Sequence, residues 1–127
     1  MKPSIREAIV VEGRYDKNMV AQTVNAVIIE TDGFGIFSNK EKMELIRRIA
    51  EKQGVIIFTD GDGAGTVIRG YLKGALPAAN VKHAYIPDVY GKERRKRSPS
   101  KEGKLGVEGM DRKTVVECLR RAGAIFL

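Results

Sequence analysis

The feature that most constrains this chain is the regular alternation of short Val- and Ile-rich runs with longer stretches of helical period. Such alternation builds β-α-β units and a mostly parallel sheet. The first run, Ile9-Val10-Val11, stops at Glu12-Gly13, after which Asp16 is placed to cap a helix reaching about Val24, with Met19, Val20 and Thr23 facing inward. A second strand is expected over 26–30, followed by the glycine-rich loop Asp32-Gly33-Phe34-Gly35. Ser38-Asn39-Lys40-Glu41 has capping-box spacing, and Met43, Ile46, Ile49 and Ala50 then form an apolar stripe that ends at Gly54, a natural stop. Val55-Ile56-Ile57-Phe58 is apolar without alternation, as expected of a strand covered on both faces. A helix over 64–76 carries Val67, Ile68, Tyr71, Leu72 and Ala75 inward, Pro77 blocks its continuation, and 81–86 makes a fourth strand. Asp111 opens a last helix through Val115, Leu119 and Ala122, and 124–127 forms a short final strand. The expectation is an α/β fold: one domain over 1–127, with a four-stranded, mostly parallel central sheet and helices on both faces.

Composition narrows the functional classes. At 127 residues, 43% hydrophobic and 31% charged, the chain has ordinary globular make-up for one domain. Its apolar runs are far shorter than the roughly 20 residues needed to cross a bilayer, so no membrane partner is expected. Met1-Lys2-Pro3-Ser4-Ile5-Arg6-Glu7 has neither the apolar core nor the small-residue cleavage site of a signal peptide. A lone cysteine, Cys118, sits in an apolar helical pattern and reads as a buried thiol. A cytoplasmic protein is expected.

Twenty-three Lys and Arg against 16 Asp and Glu leave a net charge of +7, which favours a polyanionic partner. The charge is local: Lys92, Arg94, Arg95, Lys96, Arg97, Lys101 and Lys104 lie in one stretch with only two acids. Residues 87–104 have no apolar period and include Ser98-Pro99-Ser100, so they read as a long, mobile basic loop, a kind rare in compact domains unless functional. The run from Lys92 to Lys104 has no aromatic residue, so it suits phosphate contact rather than base stacking.

The chemistry concentrates in acids at strand ends. Asp60 and Asp62 follow one buried strand and Glu12 follows another, the edge at which open α/β sheets bind ligands. Residues two apart in extended chain point to the same side, so the two aspartates can aim at one point, with Gly61 and Gly63 turning the backbone around it. Magnesium takes one or two carboxylates completed by water and phosphate oxygens, which such a set could supply. Other readings compete. Asp-Gly-Asp-Gly is also a plain turn sequence, and Glu12 alone could pair with Arg14. An EF-hand loop from Asp60 fails because its twelfth place is Tyr71. A dinucleotide fingerprint fails at Thr66, so no nucleotide cofactor is expected. His83 has no second histidine and reads as structural, while Phe34 and Phe37 are open to base stacking and to core packing alike.

Val10-Val11-Glu12-Gly13-Arg14-Tyr15-Asp16, followed by Ile56-Ile57-Phe58-Thr59-Asp60-Gly61-Asp62-Gly63-Ala64-Gly65, resembles the two signatures of the TOPRIM domain shared by primases, topoisomerases and several nucleases. The segment Ile28-Ile29-Glu30-Thr31-Asp32-Gly33, the Ile68-Arg69 pair and Gly106-Val107-Glu108 after the basic loop are most similar to the bacterial ribonuclease family that matures 5S ribosomal RNA, here its catalytic domain only. The resemblance implies Glu12 as general acid/base or metal ligand, and Asp60 and Asp62 as ligands of one or two magnesium ions, replaceable by manganese. The topoisomerase pattern has a third aspartate where this chain has Ala64, so Asp16 or Glu108 is the expected supporting acid. The implied activity is magnesium-dependent endoribonuclease cleavage of precursor 5S ribosomal RNA carrying a 5S-binding ribosomal protein, with Arg14 and the seven basic loop residues on the RNA. The alternatives are a primase-like or DNA-cleaving TOPRIM protein and a non-catalytic RNA-binding module.

Overall fold

Four short apolar runs become the four strands, and their order sets where the site falls. In the computed structural model, which describes residues 2–61, 63–87 and 111–127, the elements are β1 (Ala8–Val11), α1 (Arg14–Thr23), β2 (Ile28–Glu30), a 3-10 helix (Gly33–Ser38), α2 (Lys40–Gln53), β3 (Val55–Thr59), α3 (Gly63–Ala75), a short 3-10 turn (Ala78–Asn80), β4 (Val81–Tyr85) and α4 (Arg112–Arg121). The sheet order is β2-β1-β3-β4 and every pairing is parallel, with Ile9 opposite both Ile28 and Ile56, and Ile57 opposite His83.

Both central strands are buried along their whole length, because each face has its own helical cover. Ile9, Val11, Ile56 and Phe58 pack with Val20 and Val24 near the end of α1 and with Val115, Cys118 and Leu119 of α4. Ala8, Val10, Val55 and Ile57 face the other way, against Met43, Ile46 and Ala50 of α2, Ile68 and Leu72 of α3, and Ile36.

Several local expectations shift. Asp16 is not the cap of α1: Gly13 is, and Asp16 sits at the third helical position, where its carboxylate accepts the Gly13 amide at 3.4 Å. Asn39, not Ser38, caps α2 by accepting the Lys42 amide at 3.0 Å, because Ser38 closes the preceding 3-10 helix. The second strand starts at Ile28 rather than 26. In α3, Val67 (52% exposed) and Tyr71 (36%) turn outward, and Arg69 takes the inward position between Ile68 and Leu72. The final strand reduces to a single antiparallel bridge, Ile5 to Phe126. Gly54 stops α2 at φ +83° and Asp111 caps α4, both as expected.

One buried ion pair was not anticipated. Glu7, just before β1, is 2% exposed and accepts from the Lys82 ammonium of β4 and from the Ile125 amide at 2.9 Å, which fastens the C-terminal segment under the sheet.

Candidate active site

From β1 the chain steps outward to β2, then crosses to β3 on the other side of β1 and continues to β4. The crevice beyond the C-terminal ends of β1 and β3 is therefore the topological switch point of the sheet, where open α/β folds hold their ligands. Glu12 is the first residue after β1 and Asp60 the first after β3.

Helix α3 closes on both acids at Gly65. A methyl group at that position would stand 2.7 Å from the Asp60 carbonyl oxygen and 3.0 Å from both the Asp60 nitrogen and Glu12 Oε1, a space that admits only glycine. Glu12 and the Asp60 backbone thus meet around one point. Glu12 Oε1 and the Asp60 loop have been brought together by the first turn of α3, not merely by their strands.

Crowding shows in the protonation of Glu12. Burial first, then the charges of Asp60 and Asp16, push its carboxyl up to about 7 from the ordinary value of 4.5. Asp16, one of the two expected supporting acids, is near enough for its charge to bear on Glu12. Acids whose ionisation is opposed by burial and by one another are what a hard divalent cation relieves, and one or two such carboxylates are an ordinary magnesium set. The residues present fit the ion. Among the described residues, though, no three His, Cys, Asp or Glu side chains stand close enough to enclose a metal by themselves. Asp62, Glu108, Lys92, Arg94, Arg95, Lys96, Arg97, Lys101 and Lys104 lie outside the described residues. Arg14 is exposed on the first turn of α1, two residues from Glu12.

A residue with no assigned role in the sequence reading underpins this edge. Arg69 is 7% exposed, and its guanidinium spans the ends of two strands. Nη1 donates to the Ile57 carbonyl (3.2 Å) and to His83 Nδ1 (2.9 Å), while Nη2 donates to the carbonyls of Thr59 (3.0 Å) and Ala84 (2.6 Å) and to Thr59 Oγ1 (2.9 Å). The Thr59 hydroxyl in turn lies 3.1 Å from the Asp60 carbonyl and 3.4 Å from that of Gly65. Tyr85 covers the guanidinium, its ring centre 4.0 Å away. The only sequence signal was the Ile68-Arg69 pair; an arginine inside an apolar helical stripe otherwise reads as a surface residue.

His83 keeps a structural part. Burial, then Arg69 and Lys73, lower its proton affinity, and the bond from Arg69 assigns the ring proton to Nε2. Cys118 is buried, and burial pushes its thiol up, away from the reactive thiolate. A cleft of about 880 Å³ lined by Gln22, Thr23, Thr114 and Cys118 lies between α1 and α4 and includes neither acid. No described helix is long and apolar enough to cross a membrane.

Residues 6–86 match the Toprim domain family. The chain is 37% identical over 122 residues to Ribonuclease M5 of Fusobacterium nucleatum subsp. nucleatum, covering 96% of this chain and 61% of that protein. It is 38% identical to Ribonuclease M5 of Staphylococcus aureus, covering 96% and 62%, and 40% identical to Ribonuclease M5 of Listeria monocytogenes, covering 93% and 56%. The chain thus spans roughly three fifths of the length of these curated relatives. The structure of a small TOPRIM domain protein from Bacillus stearothermophilus superposes with a TM-score of 0.67 at 23% identity, over 97% of this chain and 93% of that one, a likeness of fold.

Proposed function

Because this chain belongs to the Toprim domain family, we propose that it is a magnesium-dependent endoribonuclease acting on structured RNA, and that its substrate is precursor 5S ribosomal RNA. The observation that carries the reading is the meeting of Glu12 and the Asp60 loop around Gly65 at the switch point of the sheet, where crowding raises the metal-free Glu12 carboxyl to about 7. The names of the curated relatives favour RNA over DNA.

In this reading Asp60 and Asp62 hold magnesium, with Glu12 as ligand or proton carrier and Asp16 or Glu108 in support. Manganese is accepted in its place. The ion supplies Lewis-acid stabilisation of charge on the phosphate and the leaving oxygen. Glu12 does the proton work: its carboxyl is raised to about 7 without metal, and a cation beside it would favour the ionised form, which can take a proton from the attacking water and return it to the leaving oxygen. Gly65 keeps the first turn of α3 against both acids, and Arg69 holds the Thr59–Asp60 corner in place. Arg14 and the basic stretch from Lys92 to Lys104 take the RNA backbone. Residues 1–127 act as one domain in the cytoplasm, on RNA that carries a 5S-binding ribosomal protein.

The test is cleavage of a labelled 5S precursor, with and without magnesium, beside duplex DNA and single-stranded DNA. Asp60→Ala and Asp62→Ala should abolish cleavage, and Glu12→Gln should keep the fold and lose the rate by at least a hundredfold, in the range of a proton-transfer group. Clean cleavage of DNA with RNA untouched would overturn the reading, as would Glu12→Gln acting within a few-fold of the natural rate.

A further inference from the structure

Three aromatic rings lie outside the core on the face where the 3-10 helix meets α3. Phe34 is 53% exposed, Phe37 41% and Tyr71 36%. Phe34 and Phe37 stack nearly parallel, with centroids 5.4 Å apart and planes 18° apart, and Tyr71 meets Phe37 edge to face at 4.8 Å. Leaving two phenylalanines half in water forgoes the burial that the side chain ordinarily gains on folding. The arrangement is nonetheless ordered, with Tyr71 backing Phe37 and Phe37 backing Phe34.

The rings are tied to the acids through the backbone. The Gly33 amide donates to the Glu12 carbonyl at 3.0 Å, the Thr31 hydroxyl donates to the same carbonyl at 3.2 Å, and Asp32 between them takes the left-handed conformation at φ 61°. Phe34 is the next residue after Gly33, so its Cα lies about 3.8 Å from the residue bonded to Glu12. The aromatic face is therefore carried by the segment bonded to the Glu12 backbone, beside the crevice where the acids stand.

We propose that Phe34 and Phe37 form a stacking platform for an unpaired nucleobase beside the cleaved phosphate, with Phe34 as the outer ring that receives the base and Tyr71 as the brace behind Phe37. The inference rests on the RNA reading of the acid site. It adds a requirement that the acids cannot impose: a paired base keeps its face inside the helix, so the platform selects RNA with an unstacked nucleotide at that place. The occupant follows from the adjoining acid site, whose Glu12 carbonyl bonds the segment that carries Phe34, and aromatic stacking tolerates any base because each offers a π-face.

The experiment uses a hairpin RNA with a single-nucleotide bulge holding 2-aminopurine, the same hairpin with an abasic bulge, and a bulge-free duplex. Binding is measured by anisotropy without divalent metal, so that the RNA stays whole. The natural chain should bind the bulged RNA about tenfold more tightly than the abasic one and quench the 2-aminopurine. Phe34→Ala should remove the preference and the quenching while lowering the melting temperature by no more than a few degrees and leaving the magnesium-induced stabilisation unchanged. Phe34→Trp should retain both, whereas Phe34→Leu, apolar but without a π-face, should behave as Phe34→Ala. Equal affinity of the natural chain for bulged and abasic RNA overturns the platform, as does full preference in Phe34→Leu. A dimer in sedimentation that dissolves on Phe34→Ala overturns it too, by assigning the face to a second copy. If the natural chain bound none of the three RNAs and cleaved no 5S precursor, the RNA reading would fall first and the platform with it, an outcome distinct from loss of the bulge preference alone.

Discussion

Two glutamates and one arginine are held in environments that differ sharply from water, and each leaves a measurable trace. Glu12 is raised to about 7, so the folded chain holds a proton there that the unfolded chain has released once pH exceeds about 4.5. Without metal, stability should therefore fall as pH rises from about 4.5 through 7, and Glu12→Gln should flatten that slope. Glu7 runs oppositely. Burial raises its carboxyl, but the Lys82 ammonium and the Ile125 amide outweigh burial and leave it below 4.5, so its stabilisation is present above that pH and is lost as pH falls below it. Thermal melting across pH 4 to 8, natural chain against Glu12→Gln, reads the first effect directly; an unchanged slope in the variant would mean that Glu12 is ordinarily solvated. Arg69→Met should cost about 3 kcal/mol in urea unfolding, because the carbonyls of Ile57, Thr59 and Ala84 lose a buried donor. Arg69→Lys should recover only part of it, since one ammonium cannot span both strand ends. A loss under 0.5 kcal/mol for Arg69→Met would show the clamp to be dispensable.

At the scale of elements, α3 shows best what the sequence could and could not disclose. Its limits were legible to a residue, with Pro77 ending it, and Ile68 and Leu72 were rightly placed inward. Val67, Tyr71 and Arg69 were not, because helical period marks a stripe about 100° wide without fixing its centre, and hydrophobicity ranks Tyr and Val above Arg. Arg69 faces inward only because two strand ends and Tyr85, distant in sequence, surround it. The same holds for Asn39 over Ser38, where an intervening 3-10 helix moved the cap by one residue. By contrast, Glu12 and Asp60 were legible as strand-end acids, since strand ends can be read locally and the parallel order brings them together. That Gly65 closes on both was not. Gly65→Ala should therefore do more than add a methyl to a helix, where alanine is ordinarily favoured by about 1 kcal/mol. It must displace the Asp60 backbone or Glu12, so it should cost about 1 to 3 kcal/mol and lower magnesium-dependent cleavage by at least tenfold. A stabilised, fully active Gly65→Ala would remove the close approach from the mechanism.

The whole molecule combines a small acid cluster with a surplus of positive charge, and the proposed function gives the two separable tasks. Of the net +7, seven cations and two acids between Lys92 and Lys104 account for +5, so the rest of the chain is nearly balanced. These residues lie outside the described ones, and their charge is what suits them to a polyanion. A stretch without aromatics stacks no bases, but guanidinium and ammonium groups on phosphates release condensed counterions, so affinity falls steeply with salt. Replacing Arg94, Arg95, Lys96 and Arg97 together by Ala should weaken RNA binding strongly at low salt. If each cation meets one phosphate, the slope of log affinity against log salt should flatten by about three to four. Magnesium-induced stabilisation should stay as it was, because the acids are untouched, and the bulge preference should survive, because stacking on Phe34 carries no charge. Anisotropy at several salt concentrations gives the slope. An unchanged slope would place the RNA backbone elsewhere, with Arg14 and the first turn of α1 as the next surface to vary.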